Sequence, residues 1–312
     1  NLLHSESSYE RRYKIKSITD IINLENGKTY KLHLISELEF ASIHTKLSKA
    51  YQGLPSEIAR TILEQNTTER VDNWQESVNN ISYIAPAISP IKTISWLAKN
   101  SYTPNMNERM MFFQDSHQFW HFTSLSNLKK LYNGSITYRY NQNALSGENN
   151  VPRQEEMLYS IKNLHYYDSF DISKDFNDGR IRNTFYTIDP TNKLLSINSY
   201  DYWRDYASNS LNPRMIYKQE EYGIGKMITS YSTSYSTSLP EFRIVGDSSD
   251  QDFNLTGSQM IEIGVLGNHL VDVGQIITIE IPRQEPTNSA ADLKLDEVWS
   301  GKYYVVSKRD QI

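Results

Sequence analysis

Apolar and polar residues alternate in short runs along most of the chain, with Gly, Asn and Pro between the runs, and this pattern predicts a mainly β protein. The clearest set lies near the C-terminal end. Met260-Ile261-Glu262-Ile263-Gly264-Val265-Leu266 stops at Gly267-Asn268, and after Leu270 a second run extends from Val273 to Pro282. A polar stretch, Arg283 to Asp292, separates it from a third run, Trp299 to Ser307. Pro282 has no N–H for a neighbouring strand and so marks an edge or an end. A small closed or nearly closed β-barrel is the simplest way to bury one face of such short strands. Near the other end, Tyr13 to Ile18 and Tyr30 to Ile35 alternate on either side of Glu25-Asn26-Gly27-Lys28, a hairpin signal.

The period changes between these ends. Leu54-Pro55-Ser56-Glu57 opens a helix whose apolar stripe is Ile58, Ile62 and Leu63. A second helix begins at Ser89-Pro90, with Ser as cap and Pro at the first helical position, and carries Ile91, Ile94, Leu97 and Ala98. Met110 to Gln114 and Gln118 to Phe122 then predict an aromatic hairpin around Asp115-Ser116. Strands are expected again over Tyr159 to Leu164, Ser169 to Ile172 and Gly179 to Pro190. Periodicity is weak from Leu194 to Pro240, where Tyr231 to Ser238 repeats a Tyr-Ser-Thr-Ser unit.

Composition narrows the classes. A chain of 312 residues is long enough for two or more domains. Hydrophobic residues make up 38% and no apolar run reaches the roughly 20 residues of a membrane-spanning helix, so stable membrane insertion is not expected. Cysteine is absent, which excludes disulfides and thiolate metal sites. A net charge of −5, with a pI near 5.9, argues against tight binding to nucleic-acid phosphates. The 22 tyrosines favour strands and amphipathic interfaces.

Few residues suggest chemistry. Asp115, His117 and His121 form the most ligand-like group, since two His at this spacing can share a face and imidazoles bind transition metals. The interleaved Phe112, Phe113, Phe119, Trp120 and Phe122 favour instead a half-buried aromatic sheet with surface His. Asp168, Asp171, Asp175 and Asp178 precede Gly179, but an EF-hand register counted back from that Gly puts Lys174 and Phe176 at two of three ligand positions. Gly223-Ile224-Gly225-Lys226 is too short for a phosphate loop. Glu155-Glu156 and Glu220-Glu221 offer acids for a glycosidase, which needs two of them facing each other across a cleft. Asn80-Ile81-Ser82 and Asn254-Leu255-Thr256 match glycosylation acceptors without a secretory signal. Lys129-Lys130 is too short for a nucleic-acid patch. No catalytic, cofactor-binding or metal-binding residue is assigned.

Three ordered phrases carry a resemblance. The first is Gly267-Asn268, Leu270, Val273-Gly274, Ile277, Ile279, Ile281-Pro282, then Ser300-Gly301-Lys302-Tyr303 and Val305. The second runs from Tyr30 to Leu34 and on through Ala50-Tyr51-Gln52-Gly53-Leu54-Pro55-Ser56-Glu57-Ile58. The third is Ser169-Phe170-Asp171, then Gly179 to Pro190. Together they resemble the baseplate hub proteins of contractile-tailed phages, which are related to the barrel domains of VgrG spikes.

The resemblance implies a mainly β fold with an α/β insertion: two similar small antiparallel β-barrels joined by a helix-containing domain. The expected boundaries are a first barrel over 1–52, the inserted α/β domain over 53–152, a second barrel from 153–197 and 250–312, and an insertion or arm over 198–249. Because the chain opens Asn-Leu-Leu-His without Met, the first barrel is expected to be N-terminally incomplete. The implied function is structural rather than enzymatic. Three copies form a homotrimeric ring that adapts a sixfold tail tube to a threefold central spike. The implied partners are the tube or tube-initiator protein, the spike, baseplate wedge proteins, and DNA that passes without specific binding. No cofactor is implied, and the place would be the virion's tail baseplate, assembled in the host cytoplasm. The rival readings are a VgrG-like spike or hub of a secretion system and a tail-associated cell-wall hydrolase.

Overall fold

The computed structural model describes residues 13–103, 108–132, 136–140, 158–167, 173, 177, 181–190, 193–201, 203–204, 211–212, 226–231, 259–267, 271–283 and 294–310. The chain divides into two compact units, residues 1–124 and 125–312. It is mainly β with helical insertions, as the alternation predicts.

The first unit begins with β1 (Lys14–Leu24) and β2 (Gly27–Ile35), joined by the expected two-residue turn and paired antiparallel. Then come α1 (Glu37–His44), β3 (Ala50–Gly53), α2 (Pro55–Asn66), β4 (Val71–Trp74), β5 (Ile81–Ile84), α3 (Pro90–Lys99), β6 (Met111–Gln114) and β7 (Trp120–Thr123). Helices α2 and α3 start where Leu54-Pro55 and Ser89-Pro90 predict, each with Pro preset for the first turn. Their stripes, Ile58, Ile62 and Leu63 on one and Ile94, Leu97 and Ala98 on the other, are buried together with Leu38, Met110, Trp120 and Phe122. The aromatic hairpin forms as expected, with β6 antiparallel to β7, while β4 joins β7 in parallel. Within it Phe112 stacks on Trp120 at 4.7 Å and Trp74 on Phe122 at 4.9 Å.

The second unit holds α4 (Leu125–Tyr132), β8 (Ile136–Tyr140), β9 (Ser160–Tyr166), β10 (Arg182–Asp189), β11 (Leu194–Asp201), β12 (Lys226–Tyr231), β13 (Ile261–Val265), β14 (Ile276–Glu280) and β15 (Gly301–Tyr304). Its main sheet has the order β13-β9-β8-β14-β15. Tyr138, Ile161, Ile277, Ile279 and Ile281 are buried on it, with Trp299, Tyr303 and Val305 packed against them. Burial pushes the Tyr303 phenol well above its ordinary range, and its hydroxyl donates to the Trp299 carbonyl at 2.8 Å.

Three details depart from the expectation. Pairing is mixed rather than antiparallel throughout, because β8 runs parallel to both β9 and β14, and β10 runs parallel to β12. Strand β8, expected in the inserted domain, belongs to the five-stranded sheet. Strand β10, expected in the second barrel, and β11, which crosses the expected boundary at 197, pair with β12 of the expected insertion in a separate three-stranded sheet. The physical reason is common to all three. Alternation fixes which residues can form strands, but not which strand each will neighbour. Among the described residues the range expected for the first barrel holds no barrel: β1 and β2 form a two-stranded sheet, α1 follows, and β3 pairs with β5 in another.

Candidate assembly interface

The β1–β2 ribbon is the most unusual surface of the first unit. Ile15 and Ile18 are three residues apart, so strict alternation would put them on opposite faces. A bulge at Lys16 shifts the phase. Ile15 then pairs with Leu34 and Ile18 with Leu32, and both pairs share one face. Tyr30, two residues from Leu32, continues that face opposite a second bulge at Asp20-Ile21, where Asp20 takes φ +54°. Ser17–His33, Thr19–Lys31 and Ile22–Thr29 lie on the other side. The result is a ribbon with one apolar and one largely polar face.

That apolar face is not buried. Ile15 is 56% exposed, Ile18 51%, Tyr30 57%, Leu32 42% and Leu34 48%. Among the described residues neither edge of the ribbon is paired with a further strand. An isolated two-stranded hairpin is marginal in water, and a contiguous apolar patch marks an interaction site. The root of the ribbon, by contrast, is tied down. Ile35 is buried, and Ser36 caps α1 by accepting from the Glu39 N–H at 3.2 Å. The Glu37 carboxylate accepts from Thr67 Oγ1 and from the N–H and hydroxyl of Thr68, at 2.9–3.3 Å. Burial raises the Glu37 pKa, but these hydrogen bonds and the Lys14 charge outweigh it and hold the carboxyl below its ordinary value. Lys16 and Glu39 add an exposed pair at 3.9 Å.

The second unit treats a free strand edge differently. The Asn212 side chain docks on β15, accepting from the Lys302 N–H at 2.7 Å and donating to the Lys302 carbonyl at 3.1 Å. An amide side chain thus makes the two bonds that a neighbouring strand would make. Gly301, at φ +152°, allows this approach, since a Cβ there would lie 2.6 Å from Asn212 Oδ1.

The residues singled out for chemistry fare variously. Asp115 and His121 do meet. Asp115 Oδ1 accepts from the N–H groups of His117 at 3.0 Å and Phe119 at 2.7 Å, closing the β6–β7 turn. Its Oδ2 lies 3.2 Å from Nε2 of His121, poorly aligned for a hydrogen bond. His121 is buried rather than on the surface as expected, because it stacks against Phe113 at 4.8 Å. With one carboxylate oxygen committed to backbone, this arrangement locks a turn. Asp168, Asp171, Asp175, Asp178, Gly179, Glu155, Glu156, Glu220, Glu221, Gly223 to Gly225, the Asn254 acceptor and residues 232–238 of the repeat lie outside the described residues. Sequence reasoning missed Glu69, which ties three elements together: its carboxylate accepts from Trp120 Nε1 of β7 at 2.6 Å, Gln114 Nε2 of β6 at 3.0 Å and the Glu37 N–H of α1 at 3.3 Å. It has no sequence signal, because its partners lie 32 to 51 residues away.

Within the C-terminal phrase that carries the resemblance, some described residues far apart in sequence are bonded to one another. Ser300 Oγ accepts from the Ile281 N–H at 2.9 Å and donates to the Ile281 carbonyl at 3.0 Å. The Gly274 N–H donates to the Val305 carbonyl at 2.9 Å, with Gly274 at φ +86°.

No family model matches the chain, and no curated protein matches it. Among solved structures it is similar to a tail protein from Neisseria meningitidis MC58, at 10% identity and a TM-score of 0.49, over 86% of this chain and 69% of that one. So thin a likeness leaves the function to be argued from the chain's own residues.

Proposed function

We propose that this chain is a structural subunit of a contractile phage tail, the baseplate hub. In this reading three copies form a ring that adapts a sixfold tube to a threefold spike and lets DNA pass through its lumen. Closed rings require each copy to present matching surfaces to its neighbours. The observation that carries a structural over an enzymatic role is the uncovered apolar face of the β1–β2 ribbon, a surface suited to assembly. The hub in particular rests on the ordered resemblance, whose C-terminal phrase is knitted together by the Ser300–Ile281 and Gly274–Val305 bonds. The acidic net charge of −5 suits a passage that DNA does not stick to. The reading assigns the chain no catalytic step and no cofactor. Its other partners are the tube or tube initiator, the spike and the wedge proteins, and its place is the tail baseplate.

Native mass spectrometry of the purified chain tests this. A stable trimer is the expected species, with a central pore in negative-stain images. A monomer that degrades cell-wall preparations would overturn the proposal in favour of a tail-associated hydrolase.

A further inference from the structure

We infer that the apolar face of the β1–β2 ribbon docks on the body of a second copy of this chain, in a contact between unlike surfaces. The inference rests on the structural-subunit reading and names the element that joins the copies.

Charge identifies the occupant. Residues 14–35 carry Lys14, Lys16, Lys28 and Lys31 against Asp20 and Glu25, a net of +2, which leaves −7 on the rest of a chain whose total is −5. Stacking one ribbon on another would bring like charge together, whereas a ribbon laid on the remainder of a neighbouring copy meets the opposite sign. The ribbon's two faces also fit a docked arm. Ile15, Ile18, Tyr30, Leu32 and Leu34 make a dry side, and Lys31 and His33 sit on the side left to solvent. Such a face is composed like the centre of an interface, with aliphatic and aromatic residues free of charge. Elsewhere the chain plugs a strand edge with its own Asn212, whereas among the described residues the ribbon carries no such plug. A contact between unlike surfaces gives every copy one arm and one acceptor, and it ends only when the chain of contacts closes into a ring.

The test uses the full chain, whose lack of cysteine makes an introduced thiol unambiguous. Sedimentation velocity should show the unaltered chain associating by itself and the double variant Ile18→Glu/Leu32→Glu running as a monomer that still unfolds cooperatively. Lys31→Glu, an exposed change that leaves the apolar face whole, should weaken association about tenfold. Leu32→Cys alone, oxidised in the associated state, should give no covalent dimer, because like ribbons do not face each other. A chain that stays monomeric without another protein overturns the inference, as does a Leu32→Cys dimer. Should Ile18→Glu/Leu32→Glu fail to fold, undiminished association of Lys31→Glu overturns it as well. Rings that persist in the folded double variant sink the ribbon's role and leave the hub reading standing. Ribbon-dependent dimers without a pore do the reverse.

Discussion

The β1–β2 ribbon and the five-stranded sheet of the second unit are built from the same material and meet opposite fates. In both, Ile, Leu and Tyr alternate with polar residues. On β14 that alternation buries Ile277 and Ile279 beneath Tyr303 and Trp299. On β1 and β2 seven large apolar side chains are turned toward water, five of them on one face. Their edges differ too. Asn212 occupies the outer side of β15, while β1 and β2 have no further strand beside them among the described residues. The difference teaches that alternation specifies a face and not its cover. Where one unit supplies its own cover and the other leaves a clean apolar side, the second is prepared for a surface that arrives later.

The contrast breaks most visibly under truncation to Ala. Ile279→Ala removes a fully buried side chain from a packed sheet and should cost about 2–5 kcal/mol in chemical denaturation. Ile18→Ala, half exposed, should shift the same measurement by less than roughly 0.5 kcal/mol in the dissociated chain. Equal losses at the two positions would mean that the ribbon is covered within its own chain. The effect of Ile18→Ala should appear instead in association, as faster dissociation of the complex.

A smaller effect is expected at the guarded edge. Gly301→Ala places a methyl group against Asn212 Oδ1 and asks an L-residue to adopt φ +152°. The cost should be about 1–3 kcal/mol, and displacing the amide should free the Lys302 backbone for stray pairing. Increased turbidity on heating, relative to the unaltered chain, is the measurement. If neither stability nor aggregation changes, Asn212 is not the guard.

Much of this molecule can be read from local sequence. Pro55 and Pro90 announce their helices, Glu25 to Lys28 the first hairpin, and the aromatic run the second, because each signal acts within a few residues. The mixed pairing of β8 was not legible. Its partners in β14 lie some 140 residues on, as the Arg139–Glu280 ion pair at 2.6 Å shows, and nothing in Ile136 to Tyr140 names them. Helix α1 escaped for a different reason: Glu37 to His44 has no amphipathic stripe and buries only Leu38 and Ser42. The assembly face was half legible. Alternation revealed the strands, but without the Lys16 bulge Ile15 and Ile18 would not share a side. No residue pattern says that a bulge falls there, since the register is set jointly by both strands and the turn.

The smallest expected effect probes how the ribbon is held to its unit. Glu37 follows directly from the end of β2, and its carboxylate gathers Thr67 and Thr68 at the ribbon's root, near the Lys14 charge. Its pKa is depressed in the folded state, so the ionised form binds these donors better than the protonated form does. The stability this provides is fully present above the ordinary carboxylate pKa of 4.5 and is lost as the pH falls through the lower, folded value. Acidification below about pH 4 should therefore lower amide protection, taken relative to the intrinsic exchange rate at each pH, first at Thr68, whose N–H the carboxylate receives, and then along the base of β1 and β2. The Asn212-guarded edge has no such carboxylate among its bonds to Lys302 and should keep its protection over that window. Glu37→Gln keeps the shape and removes the titration. In that variant the acid-dependent loss of protection at Thr68 should vanish, and a loss that survives would place the titrating group elsewhere.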